Sequence, residues 1–243
     1  MVEMHGNNLC IVLYRNVLVW SRNFDKILLF SVNSKGSINL EERLLVPGHE
    51  IIVVGASAGG VEALMQLVRE FPADLPASVF IVLHIPAQSP SLLAGILSRA
   101  GLMKAVHPVD YQKIEHGCIY VAPPDHHLFV ENGFMRVVRG PQEKRHRPAI
   151  DPLFRSAAVA YGSQVVGVVL TGALDDGTAG LLAVKQRGGV AIVQDPREAR
   201  YPDMPKSALA HVNVDYCLPI AQIGQVLVQL AHEEIVQENI PPA

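Results

Sequence analysis

From residue 50 onward the hydrophobic positions switch between two patterns. Short unbroken runs of Val, Ile and Leu alternate with stretches in which apolar residues recur every three or four positions. The unbroken runs at 51–54, 79–83, 165–170 and 190–193 predict strands buried on both faces, and 103–106 and 214–217 predict two more. The 3.6-residue pattern predicts helices over 61–70, 91–99, 152–161, 178–187 and 221–236, with a short one near 206–210. In the first of these the apolar positions are Val61, Leu64, Leu67, Val68 and Phe71. Asp151 is placed to cap the helix that begins at 152, and Gly188-Gly189 closes the one that ends at 187. Between the run at 103–106 and the helix at 152 lie three β-like runs, 117–121, 127–130 and 134–138, the last two joined by the hairpin dipeptide Asn132-Gly133. Strands alternating with helices predict an α/β fold: a doubly wound, mostly parallel sheet with helices on both faces and a small β-hairpin insert.

Residues 1–48 break this rhythm. Their apolar runs at 9–14, 17–20 and 27–32 suggest edge strands or a packed arm, and Pro47-Gly48 marks a plausible boundary. The expected division is an N-terminal extension of unknown role over 1–48 and the main α/β domain over 49–243. A length of 243 residues, 49% of them hydrophobic, suits one large α/β domain with an appendage. A net charge of -3 gives no global attraction to nucleic acid or to acidic membranes. Cys10, Cys118 and Cys217 have neither metal-ligand spacing nor the even number of a disulfide framework. Reduced thiols in a cytoplasmic protein without a metal are the expectation. The apolar stretch 9–32 is broken by Arg15, Arg22, Asp25 and Lys26, so neither membrane insertion nor a secretory signal is expected.

The chemistry concentrates around residues 51–60, I-I-V-V-G-A-S-A-G-G. A strand, a glycine turn and a helix start follow one another, with Ser57 in the turn. Backbone N–H groups and the helix dipole there favour negative charge. The pattern fits the G-x-S-x-G turn of serine hydrolases. It also partly fits the dinucleotide fingerprint G-x-G-x-x-G, with Ser57 in place of the second glycine. That reading further requires an acidic residue at the end of the next strand, where this chain has His84. An ordinary turn with a structural serine is the third reading. Two more reactive side chains follow strands: His84 after F-I-V-L, and Asp176 in T-G-A-L-D-D-G after V-V-G-V-V-L. In an open parallel sheet all such strand ends share one edge, so serine, histidine and aspartate could meet as a hydrolytic triad. Singly, His84 reads as a packed histidine and Asp175 or Asp176 as a turn or cap residue.

Taken together, these segments resemble the catalytic domain of the chemotaxis protein-glutamate methylesterases. The resemblance spans 51–230 and rests on G-A-S-A-G-G at 55–60, V-L-H-I-P at 82–86 and I-Y-V-A-P-P-D-H-H-L at 119–128. H-R-P-A-I-D-P-L-F-R-S-A-A at 146–158, L-T-G-A-L-D-D-G-T-A-G at 170–180 and D-M-P-K-S-A at 203–208 complete it. It implies a cofactor-free serine hydrolase with Ser57 as nucleophile, His84 as base, Asp176 as its orienting acid, and the Ala58 and Ala173 amides as oxyanion donors. It implies a methyl-accepting chemotaxis receptor as substrate, with glutamine deamidation as a side activity. Where the family has Met-Gly before the aspartate, this chain has Ala173-Leu174. Ala173 keeps a backbone donor, but Leu174 strains the turn if that position needs φ > 0. The resemblance leaves about 48 residues before the esterase core, too few for the receiver domain of some relatives, so a separate receiver protein is a candidate partner. The basic run Lys144-Arg145-His146-Arg147 reads either as an attractor of acidic receptor helices or as a solvated loop. The competing class is a signalling or binding module that kept the fold and lost turnover.

Overall fold

The computed structural model describes 3–5, 9–14, 17–21, 26–32, 38–46 and 235–237 as strands, and residues 48–86, 88 and 91–233 together with their side chains. Pro47 of the expected boundary lies outside the described residues. The chain forms two compact units. One comprises Met1–Gly48 with Glu234–Ala243, the other His49–Glu233.

In the first unit the strands are β1 (Glu3–His5), β2 (Leu9–Tyr14), β3 (Val17–Ser21), β4 (Lys26–Val32) and β5 (Ile38–Val46), each antiparallel to the next. The apolar runs of this region are therefore strands of a meander.

The second unit is built on seven parallel strands. In chain order they are β6 (Ile51–Ala56), β7 (Ser78–Leu83), β8 (Lys104–Val106), β9 (Cys118–Val121), β12 (Val165–Val169), β13 (Val190–Gln194) and β14 (Tyr216–Leu218); β10 (His127–Glu131) and β11 (Phe134–Val138) form a separate hairpin. The sheet order is β14-β13-β12-β6-β7-β9-β8. The strand at 118–121 thus belongs to the main sheet, between β7 and β8, and only β10–β11 form the insert. A four-residue apolar run cannot by itself announce which sheet it joins; pairing with β7 places Ile119 and Val121 in the core.

Side chains along β6 alternate between two cores, as the period of a strand requires. Ile52 and Val54 meet α1 (Gly60–Val68), α2 (Leu93–Ala100) and α6 (Ile220–His232) through Leu64, Leu67, Leu97 and Leu227. Ile51 and Val53 face α3 (Ile150–Tyr161), α4 (Thr178–Gln186) and α5 (Asp203–His211) through Phe154, Leu181 and Met204. The doubly wound fold read from the alternation is the fold observed.

Three local expectations change. The helix expected over 152–161 begins at Ile150, and its N-cap is Ala149. Asp151 is therefore inside the first turn, and its carboxylate is engaged elsewhere. The helix near 206–210 begins at Asp203, because Pro205 in the first turn lacks only an N–H that the helix would not use. The last helix ends at His232, and β15 (Ile235–Gln237) pairs antiparallel with β5. Ile235 and Val236 fit either a helix face or a strand. The pairing with Val46 and Leu45 decides for the strand.

Candidate active site

β6 lies between β7 and β12, and the chain leaves β6 toward one side of the sheet before returning on the other. This is the topological switch point, where open parallel sheets form their clefts. Ser57 follows β6 directly, His84 follows β7 directly, and Asp176 sits in the loop between β12 and α4. Backbone ladder bonds continue past the strands: His84 N–H donates to Ala56 O at 3.2 Å, Leu170 N–H to Gly55 O at 2.9 Å, and Ser57 N–H to Thr171 O at 3.0 Å. The three loops are thus clamped to one another before any side chain is considered.

The side chains then form a continuous series. Ser57 Oγ lies 3.1 Å from His84 Nδ1, and His84 Nε2 lies 2.8 Å from Asp176 Oδ2. With the ring proton on Nε2 and donated to Asp176, Nδ1 is an acceptor for the serine hydroxyl. The His84 and Asp176 side chains are only 5% and 3% exposed, so their interaction is weakly screened. All three residues named from the sequence are brought together.

Asp176 is held by more than histidine. Its Oδ2 accepts from Ile150 N–H at 2.8 Å and its Oδ1 from Asp151 N–H at 3.2 Å, the first two amides of α3. Asp151 in turn accepts, through Oδ1, the Gly177 and Gly180 amides at 3.0 and 2.7 Å, at the start of α4. Each aspartate therefore caps the helix of the other. Burial opposes the Asp176 charge, but the His84 bond and the α3 amides outweigh it and hold the carboxyl below the ordinary carboxylate value. For Asp151, burial and the neighbouring Asp176 charge push the pKa up, against the Gly180 amide and Lys144.

Four contributors were not legible as site residues. The His146 ring stacks on His84 with centroids 3.6 Å apart and planes 6° from parallel. Burial, then the proximity of His84, lowers its pKa. Lys144 Nζ reaches Asp151 Oδ2 at 3.1 Å, Asp175 Oδ2 at 3.2 Å and Asp175 O at 3.0 Å. Burial works against its ammonium, but Asp151 and Asp175 hold the pKa above the usual lysine value. Thr171 Oγ1 donates to Ala58 O at 3.0 Å and accepts from Tyr201 N–H at 2.9 Å, tying the serine turn to the 199–201 loop. Asp151, read as a cap, does cap a helix, but α4. The segment 146–151 stood out in the sequence without a strand end to give it a role; only the fold brings it over the switch point. The basic run is largely committed internally: Lys144 as above, His146 on His84, and Arg147 on Asp125. Of the four, only Arg145 has neither an ion pair nor a ring stack among the described residues.

The backbone around the serine is equally specific. Ser57 N–H is used by Thr171 O, and Gly172 N–H by Tyr201 O at 2.9 Å. The Ala58 and Ala173 amides find no acceptor among the described residues. Leu174 has φ 66°, so the strained turn expected from its sequence is present. Gly55 is small for a packing reason: a Cβ there would collide with the Ile150 side chain. That accounts for the first glycine of the fingerprint without a nucleotide.

A Ser–His–Asp series at the switch point of a doubly wound parallel sheet defines an α/β protein of the serine-hydrolase type. The comparisons carry this to a family. The chain belongs to the CheB methylesterase family, whose model matches residues 52–227. A relative from Leptospira interrogans is 36% identical over 190 residues, covering 78% of this chain and 98% of its own length. Relatives from Rhizobium johnstonii and Ralstonia nicotianae, named protein-glutamate methylesterase/protein-glutamine glutaminase, are 37% and 38% identical over 72% and 77% of this chain. The matched region spans about half the length of these two, 49% and 51%. The crystal structure of the Thermotoga maritima CheB methylesterase catalytic domain superposes with a TM-score of 0.72 at 33% identity, covering 76% of this chain and all of that one.

Proposed function

We propose that the protein hydrolyses γ-methyl esters of glutamate side chains in a receptor of the methyl-accepting chemotaxis type, and that the same site deamidates glutamine. The observation that carries this is the unbroken Ser57–His84–Asp176 series in a chain of the CheB methylesterase family. The names of the Rhizobium and Ralstonia relatives support both activities.

In this reading Ser57 Oγ attacks the ester carbonyl as its proton passes to His84 Nδ1. Asp176, kept ionised by the α3 amides, stabilises the imidazolium and fixes its tautomer. The Ala58 and Ala173 amides receive the oxyanion; both are free of acceptors among the described residues and sit on the two turns that meet at Ser57. Collapse expels methoxide, which takes the proton from His84 and leaves as methanol. Water then gives its proton to His84 and attacks the acyl-serine; the acyl–Oγ bond breaks as His84 returns the proton to Ser57 Oγ, and the glutamate is released. With glutamine the leaving group is ammonia. No step calls for a metal or a cofactor.

The reading places the enzyme in the cytoplasm, with a separate receiver protein as a candidate regulator. No helix among the described residues is long and apolar enough to cross a membrane. A fluorophosphonate probe tests the nucleophile: peptide mapping should find the adduct on Ser57, and none should form in Ser57→Ala. An unlabelled Ser57 in folded protein supports the alternative of a binding module without turnover.

A further inference from the structure

The mechanism uses Asp176 but leaves a second buried carboxylate, Asp151, directly behind it. Asp151 is 2% exposed, as is Asp176. A single N–H, that of Gly177, lies 3.0 Å from Asp151 Oδ1 and 3.0 Å from Asp176 Oδ1. Two carboxylates sharing one amide in a buried place repel each other, and one of them would ordinarily take up a proton. The cation that faces this pair is Lys144, 3.1 Å from Asp151 Oδ2 and 32% exposed. It arrives from the loop that also carries His146, two residues on.

We propose that Lys144 is a positioning residue for the hydrolase: it keeps Asp151 ionised and its charge cancelled, so that the His84–Asp176 pair sees one negative charge rather than two. This rests on the hydrolase reading above. Among the described residues, the charged and titratable side chains in contact with the pair or its partners are these. His84 and His146 stack on the cleft side, Lys144 and Asp175 lie on the solvent side, and the N-termini of α3 and α4 point their amides at Asp176 and Asp151. Of these only Lys144 is a fixed cation. Burial and Asp176 both raise the proton affinity of Asp151, so removing the ammonium leaves either a second negative charge or a titrating acid beside the catalytic pair. Either changes the pH at which His84 becomes a free base. A lysine that only tied two loops together, through Asp175 O and its carboxylate, would not act on that pH.

The test is the acid limb of the pH profile of kcat/KM, which reports the free enzyme's base. Methanol release from a peptide containing a glutamate γ-methyl ester is followed in wild type, Lys144→Met, Lys144→Arg and Lys144→Met/Asp151→Asn. Asparagine retains an oxygen for the Gly177 and Gly180 amides but carries no charge. Lys144→Met should displace the limb by half a pH unit or more. Lys144→Arg, and the double variant, should return it to within a few tenths of the wild-type position. An undisplaced limb in Lys144→Met overturns the proposal, as does a displacement that Asp151→Asn fails to reverse. His84 ring NMR titrations in a Ser57→Ala background read the same midpoint without turnover. They also keep the test valid if Lys144→Met lowers activity by disturbing the loop, and they separate this proposal from the hydrolase reading. A wild type that releases no methanol counts against that reading, whereas an unmoved His84 midpoint counts against the role of Lys144.

Discussion

At Leu174 the backbone is left-handed, φ 66°, and the side chain is 62% exposed. A Cβ in that conformation costs on the order of 1–2 kcal/mol, and the exposed leucine gains little burial in return. Leu174→Gly should therefore raise stability by about 1 kcal/mol in urea unfolding while leaving the triad distances in place. A loss of stability would mean that Leu174 makes a contact the strain argument misses. The paired aspartates give a second residue-scale contrast. Asp176 is buried against His84, whereas the Asp175 carboxylate is 62% exposed and bound to Lys144. Asp176→Asn should lower kcat by about 10⁴-fold through the wrong histidine tautomer, and Asp175→Asn by less than tenfold. Both effects are read by methanol release, and equal losses would contradict the register. His49 sets a pH dependence on stability. It is 5% exposed, and burial lowers its pKa from the ordinary 6.5. The fold prefers its neutral form, so that contribution is complete above about pH 6.5 and is lost as pH falls below it, toward the folded value. Urea midpoints between pH 7 and 5 should fall less steeply in His49→Gln than in wild type.

Among the elements, α3 and α4 are coupled by their exchanged caps. Neither has a side-chain cap from its own N-cap residue, Ala149 or Gly177. Asp151→Ala should therefore destabilise the domain by about 1–2 kcal/mol, the upper range for a lost cap, because α4 loses two bonds at once. An unchanged urea midpoint would contradict that assignment. A different constraint acts at Gly172, beneath the serine turn. A Cβ there would stand 2.8 Å from Ser57 Cβ and press on Met204. Gly172→Ala should thus lower kcat much more than it lowers stability, by shifting the nucleophile. The elements themselves were largely legible: unbroken Val/Ile runs gave the β6, β7, β12 and β13 positions, and the strand ends gave Ser57 and His84. What was not legible depends on contacts between distant segments. A short run such as Cys118–Val121 carries no sign of its neighbour in the sheet. The aspartate at 151 looks like a cap for its own helix, because local spacing cannot foresee an amide 26 residues away. His146 has no periodicity or motif that links it to His84, and only α3 packing over β6 brings it there.

For the whole molecule, the contact pattern separates His49–Glu233 from the strands at either end of the chain. We propose that range as the catalytic domain, shorter at its C-terminal side than the sequence boundary because Ile235–Gln237 pairs with β5. The fragment His49–Glu233 should unfold in one cooperative transition and keep its esterase activity within a few-fold. A fragment that is folded but inert would show that the first unit contributes to the site. The account as a whole stands on Ser57 as the nucleophile of a glutamate methyl esterase. Its most direct measurement is methanol release from a methylated receptor fragment by the full chain, wild type beside Ser57→Ala at matched fold by circular dichroism. The account predicts catalytic release by wild type and a loss of about 10⁴-fold or more in the variant. Release at the same rate by both proteins, or none above buffer by wild type, would contradict it.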